Sequence, residues 1–263
     1  MFGKIREWYG RVAGTPDGKQ KLATASVTLL LAAAVVLAAE SPRFAAASAA
    51  QRQLPIYCVE RDQKMASLTF DAAWGNEDTQ ALIDILGKYN VKATFFVVGA
   101  WVDKYPESVK ALHDAGHEVM NHSNDHPHMN ALSADEIVAN VNACSDKIEK
   151  ATGARPTLLR CPYGEYDDHV IAAVRSAGLT PIQWDVDSLD WRGLSAAEIY
   201  ERVTTKVQPG SIILFHNAAK HTPEALEDIV KYLMGQGCEL VPISRLILTG
   251  SYTIDHAGKQ LPA

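Results

Sequence analysis

His122-Ser123-Asn124-Asp125-His126 spaces two imidazoles four residues apart, close enough for both to grip one divalent cation. The metalloprotease pattern H-E-x-x-H is excluded, because Ser123 stands where its glutamate base would be and Pro127 biases His126 away from mid-helix geometry. A base must therefore come from elsewhere in the chain, and a distant Asp71 strengthens the metal reading over a pair of solvated loop histidines. Further polar side chains recur in a revealing place. Asp71 follows Leu68-Thr69-Phe70, His122 follows Val119-Met120-Asn121, and Arg160 ends Thr157-Leu158-Leu159. Asp185 follows Ile182-Gln183-Trp184, with Asp187 and Asp190-Trp191 just beyond, and His216 follows Ile212-Ile213-Leu214-Phe215. Each lies just past a short run of strand character.

The elements that must position them follow from periodicity. Strands are predicted at Ser67–Phe70, Ala93–Val98, Glu118–Asn121, Leu158–Arg160, Thr180–Trp184, Ser211–Phe215 and Glu239–Pro242. Between them, Asp78–Lys88, Asp135–Lys150, Asp168–Ser176, Ala196–Val207 and Pro223–Met234 carry helical apolar faces, and glycines such as Gly153 and Gly178 sit where helices should end. This β-α alternation calls for a mainly parallel sheet under helices, either an open doubly wound sheet or a closed barrel. With about seven strands and no G-x-G-x-x-G fingerprint, the expectation is a distorted (β/α) barrel. In such a barrel the polar strand ends meet on one face.

Five segments in order carry a family resemblance: Leu68-Thr69-Phe70-Asp71, His122-Ser123-x-x-His126, Arg160-Cys161-Pro162-Tyr163-Gly164, Asp187-Ser188-Leu189-Asp190-Trp191 and Leu214-Phe215-His216. Together they resemble the polysaccharide deacetylase (NodB-homology, carbohydrate esterase family 4) domain over roughly Met65 to Thr249. Within that family the chain is most similar to the sporulation-associated branch with one N-terminal membrane segment. The resemblance implies a metal-dependent hydrolase that removes N-acetyl groups from an amino-sugar polymer, peptidoglycan or a chitin-like oligosaccharide. It further implies zinc, cobalt or a similar divalent ion on His122 and His126, with Asp71 as base and Arg160 orienting it. His216 would be the acid, paired with Asp190. The Tyr163 backbone N–H would serve the oxyanion, and Trp191 and Leu214 would line the acetyl pocket.

One departure bears on the metal. The family motif has adjacent aspartates, a base and then a ligand, whereas this chain reads Asp71-Ala72-Ala73-Trp74. A methyl cannot ligate. Either Asp71 itself coordinates, or Asn76, Asp78 or Asp125 reaches in, or water fills the position. A catalytically impaired glycan-binding protein of the cell wall is the alternative function, and an amidase acting on a small amide is another. Trp74 and Trp101 are candidates for stacking on sugar rings or for core and rim packing. His113, His117, His128, His169, His221 and His256 read as surface or loop histidines, His128 lying nearest the metal loop.

The remaining signals place the domain. Leu22 to Ala39 is uncharged and would extend about 27 Å as a helix at ~1.5 Å per residue, near a bilayer's hydrocarbon thickness. Lys4, Arg6, Arg11, Lys19 and Lys21 precede it, so the N-terminus is expected inside and the body outside the cytoplasm. The segment is a retained anchor or, if cut near Ala45–Ala49, a signal. The expected organisation is a basic N-terminus over 1–21, a membrane segment over 22–39, a linker over 40–61, the deacetylase domain over 62–250 and a frayed tail over 251–263. With 21% charged residues, 47% hydrophobic ones and a net charge of −6, the chain can bury a core and has no global attraction to nucleic acid. A monomer is expected. Cys58, Cys144, Cys161 and Cys238 form no C-x-x-C pair and are read as unpaired thiols, with a disulfide left open.

Overall fold

The computed structural model describes residues 52–263, together with Gly3, Lys4, Arg6, Glu7, Gly10, Gly14, Thr15 and Asp17. The chain divides into two units, Met1–Gln51 and Arg52–Ala263. The expected membrane segment and the first part of the linker lie outside the described residues. Among those described, no helix is long and apolar enough to cross a membrane.

In the second unit the elements run β1 (Cys58–Val59), β2 (Met65–Ala72), α1 (Thr79–Lys88), β3 (Thr94–Val97), α2 (Gly99–Lys104), α3 (Pro106–Asp114), β4 (Glu118–Asn121), α4 (Ala134–Thr152), β5 (Leu158–Leu159), α5 (Asp168–Ser176), β6 (Thr180–Pro181), β7 (Val186–Asp187), α6 (Ala196–Thr204), β8 (Ser211–His216), α7 (Thr222–Gly235), β9 (Glu239–Leu240), α8 (Ile243–Leu246), β10 (Tyr252–Ile254) and β11 (Lys259–Pro262). One sheet orders them β10-β11-β1-β8-β2-β3-β4-β5-β6, with β7 on β8 and β9 on β2. The pairs from β2 through β6, and those of β8 with β2 and β7, are parallel, as helical crossovers require. A parallel bridge from Ile56 to Ile182 joins the β6 edge to the residues before β1, so the sheet curls into a partial barrel. The expected strand at Thr180–Trp184 is shortened to β6 at Thr180–Pro181, and an unexpected β7 follows it at Val186–Asp187, each pairing with a different neighbour.

β2 is buried along its whole length, which suits a central strand covered on both faces. Its period of two sorts the residues. Ala66, Leu68, Phe70 and Ala72 join an apolar layer with Leu82 and Leu86 of α1 and Leu226, Ile229 and Val230 of α7. Phe70 stacks between Phe95 of β3 and Phe215 of β8, at centroid distances of 4.8 and 5.4 Å. Ser67, Thr69 and Asp71 alternate with these. The two hydroxyls are satisfied by the carbonyls of Val241 and Ile213, at 2.7 and 2.6 Å, leaving Asp71 as the first ionisable group at the strand's C-terminal end.

Two expectations are corrected here. The residues after Gly250 are not a frayed tail, because β10 and β11 form an antiparallel hairpin and β11 pairs in parallel with β1. The fully buried Gln260 side chain anchors this hairpin through both its amide groups to the backbone of Leu248, which donates at 2.8 Å and accepts at 3.0 Å. The folded body also begins before residue 62, since Ile56 and β1 are part of its sheet. The four cysteines are free thiols.

Candidate active site

Parallel pairing sets Asp71 of β2 opposite His216 of β8, with Ala72 opposite Val97 and Val97 opposite Asn121 of β4. All the predicted strand-end residues but Asp185 therefore gather at one rim. Asp71 is 5% exposed and accepts from Arg160 Nη1 at 2.8 Å. Arg160 is fully buried, donates its other terminal nitrogen to the Gln183 carbonyl at 3.1 Å, and lies over the Phe96 ring at 4.3 Å. Burial alone would raise the Asp71 pKa. The charges of Arg160, His122 and His216, with the arginine hydrogen bond, outweigh it and hold the carboxyl below its ordinary range.

His122 is also buried, and its Nδ1 stands 2.8 Å from the Arg160 carbonyl. A carbonyl only accepts, so Nδ1 carries the hydrogen and Nε2 keeps its lone pair. That Nε2 lies 3.5 Å from Asp71 Oδ2. His126 follows through a turn in which Ser123 and His126 both adopt left-handed backbone, at φ 71° and 57°. The turn is held by Ser123 N–H donating to Asn121 Oδ1 and His126 N–H donating to Ser123 Oγ, at 2.7 and 3.0 Å. It brings the two imidazoles to a centroid distance of 5.0 Å. Burial lowers both pKa values, that of His126 to about 4 with the His122 charge assisting, so both rings are neutral near pH 7, as a metal ligand must be.

Beside His216, Asp190 is saturated. Its Oδ1 faces His216 Nδ1 at 2.8 Å and accepts the Trp191 N–H at 2.9 Å, while Oδ2 accepts the His216 N–H at 2.8 Å and the Thr222 hydroxyl at 2.7 Å. Burial would lower the His216 pKa, but the Asp190 hydrogen bond and the charges of Asp71, Asp190 and Asp187 raise it above 6.5. Thr222 escaped the sequence reading, for a buried threonine starting a helix looks like any other. Tyr163 sits in a tight turn after β5 at φ 59°, and its backbone N–H has no protein acceptor among the described residues. Gly164 beside it, at φ 68°, lets the Trp184 ring close in, since a Cβ there would come within 2.9 Å of it.

Asp71, His122, His126, Tyr163, Trp191, Leu214 and His216 all line one cavity of about 460 Å³, with Ala73, Trp74, Gly164, Trp184 and Asp187. Other candidates go elsewhere. Asp185 binds the hydroxyl of Ser211 and the N–H of Ile212, both at 2.7 Å, at the beginning of β8 and so at the end remote from His216. Trp101 is a core residue, 2% exposed, donating to the Gly75 carbonyl. His117 is likewise buried, contrary to the surface reading.

The three side chains considered as replacement metal ligands are engaged away from the histidines. Asn76 binds Ser108 Oγ, Asp78 accepts from the Ala218 N–H, and Asp125 accepts from Asn140. Ala72 is 1% exposed in the helix-side apolar layer. No three ligand-type side chains close on one point among the described residues. What is present fits a divalent cation on two neutral imidazoles, with Asp71 Oδ2 adjoining.

The family model for polysaccharide deacetylase matches residues 59–182. The peptidoglycan-N-acetylmuramic acid deacetylase PdaA of Bacillus subtilis is 32% identical over 197 residues, covering 73% of this chain and 74% of that protein. The chain belongs to the polysaccharide deacetylase family. PdaC of the same organism, also a peptidoglycan-N-acetylmuramic acid deacetylase, is 38% identical over 188 residues, but those span only 40% of its length. Among solved structures, BA3943 of Bacillus anthracis, described as a CE4 family pseudoenzyme, superposes with a TM-score of 0.71 at 37% identity, covering 73% of this chain and 68% of that one. A mutant of BA3943 is described as having restored enzymatic activity.

Proposed function

We propose that this chain is a metal-dependent N-deacetylase acting on an amino-sugar polymer outside the cytoplasm, with peptidoglycan as the substrate. One observation carries this reading: Asp71, paired with the buried Arg160, and His216, paired with the buried Asp190, line one cavity from adjacent strands, with two neutral histidines beside Asp71. The environments drive the two pKa values apart, which is how a site holds a base and an acid at the same pH. Asp71, ionised, takes a proton from the attacking water. His216, protonated, gives one to the departing sugar amine as the C–N bond breaks. The Tyr163 N–H is free to donate to the oxyanion, while Trp191 and Leu214 enclose the acetyl methyl. His122 and His126 would hold the metal, whose chemistry there is to polarise the acetamide carbonyl and acidify water.

The named activities of PdaA and PdaC support peptidoglycan as the polymer. Anchoring through residues 22–39, a monomeric state and a role in sporulation are part of the proposal and rest on the sequence reading and the family resemblance. The test is to incubate the full chain with peptidoglycan fragments and chitooligosaccharides, with zinc or with a chelator, and to identify by mass spectrometry which sugar loses acetyl. Metal-dependent acetate release is expected. A second reading, a glycan-binding pseudo-deacetylase, is favoured by Ala72 and by the likeness to BA3943. It is supported instead if glycan binds and no acetate is released with any divalent ion.

A further inference from the structure

Trp74, Tyr163 and Trp191 are the most exposed large hydrophobic residues of the described chain, at 57%, 56% and 54%, and all three line the same cavity. Water-exposed indoles grouped at one mouth mark a surface that something apolar and flat covers. Trp74 is the one whose place bears most on selectivity. Its ring centroid lies 6.1 Å from His216 and 6.4 Å from His126, tilted 45° and 53° to them, so it spans the mouth between the acid and the metal-side histidine without either imidazole stacking flat on it. An acetamide presented to both histidines has to bring its sugar ring past this indole.

The backbone on either side of Trp74 is also held in place. The Ala73 N–H donates to Asn217 Oδ1 at 3.2 Å, and Asn217 Nδ2 donates to the Gly75 carbonyl. The same carbonyl accepts from Trp101 Nε1 at 2.9 Å, and Asn76 Nδ2 donates to Ser108 Oγ at 3.0 Å. Both neighbours of Trp74 are therefore pinned by side chains other than its own, so the turn that presents the indole is formed before substrate arrives.

We infer that Trp74 is the specificity-determining platform of this site, stacking on the apolar C–H face of a pyranose ring and selecting glycan chains over small acetamides. This rests on the deacetylase reading above and adds to it the feature of the substrate that is recognised.

The experiment compares wild type, Trp74→Ala and Trp74→Phe, as full chains with zinc, on chitotetraose and on a small N-acetyl amide, with thermal midpoints recorded for each. Trp74→Ala is expected to raise KM for chitotetraose about tenfold, about 1.4 kcal/mol of binding, with kcat within threefold and turnover of the small amide unchanged. Trp74→Phe should recover most of that loss. Binding is followed separately from turnover by the NMR shift of the Trp74 indole N–H on adding chitotetraose. Unchanged KM in an active, folded Trp74→Ala overturns the platform and leaves the deacetylase reading standing. A Trp74-dependent shift with no acetate release by wild type upholds the platform and rejects the hydrolase. Neither shift nor release rejects both and leaves the aromatic rim to a protein partner.

Discussion

Asp190 uses both oxygens to hold His216, and this fixes which imidazole of the site stays protonated. Because the His216 pKa is raised, the proposed general acid is present below that value and lost as pH rises through it. Asp190→Asn is expected to shift the alkaline limb of the kcat/KM profile to lower pH and to cut activity at pH 8 by about 10²-fold or more, measured by acetate release across pH. His126→Ala should abolish both acetate release and one-to-one zinc uptake in a calorimetric titration, since one imidazole alone is a poor site. Ala72 poses a different question. A carboxylate placed in its apolar layer costs several kcal/mol unless it is drawn to a cation. Ala72→Asp is therefore expected to lower Tm in chelator and to recover it with zinc more strongly than wild type does. A zinc response no larger than wild type's would show that residue 72 has no access to the metal.

The element that presents the His122–His126 loop, proposed to hold the metal, is α4. Ser133 and Glu136 close a capping box at its start, satisfying N–H groups that the first turn leaves open. Inside the helix, Asn140 accepts from the Asn124 N–H at 2.8 Å and donates to Asp125, while the Val141 carbonyl and Ser145 Oγ both accept from Asn121 Nδ2, at 2.7 and 2.9 Å. The two left-handed residues of the loop, costing about 1–2 kcal/mol each, are offset by these bonds. Ser133→Ala should lower stability by about 1 kcal/mol, read from the urea midpoint at constant m. Asn140→Ala should instead weaken zinc binding with little change in Tm. The capping box, Ser-x-x-Glu before an apolar run, is visible in the sequence. The role of Asn140 is not, for it depends on a loop lying over the helix.

The body closes on itself through segments far apart in the chain. The C-terminal hairpin covers β1, and Ile56 bridges to Ile182. Removing residues 251–263 uncovers that edge and should lower Tm and broaden the unfolding transition. The molecule also carries an acid-labile point away from the site. His117 is buried against Phe95, its Nδ1 accepts the Ala93 N–H at 3.2 Å, and burial lowers its pKa to about 4. The fold favours the neutral ring, so stability is intact above the unfolded value near 6.5 and is lost as pH falls from there towards 4, by about 3 kcal/mol at most. His117→Gln should flatten this decline in urea midpoints measured between pH 7 and 4.

Sequence alone determined the alternation of the central parallel strands with five of the helices, the family and most of the chemistry-bearing side chains at the strand ends, because period-two and period-3.6 burial are local signals and the five motifs are contiguous. The two short helices at Gly99–Lys104 and Pro106–Asp114 and the C-terminal hairpin it did not show. The strand-end pattern by itself could not tell Asp71 or His216, which line the cavity, from Asp185, which binds the beginning of β8, since each merely follows an apolar run; only the motif resemblance singled out the first two. Parallel register decided that. Nor could it separate Trp74 from Trp101, a rim residue from a core one. The third metal ligand changed most: tertiary packing turned Asn76, Asp78 and Asp125 to other partners and set Ala72 among the helix-facing side chains, leaving two histidines and the flank of Asp71. Which atoms share a cavity is a property of strand pairing and helix packing over long sequence separations, and no local pattern encodes it.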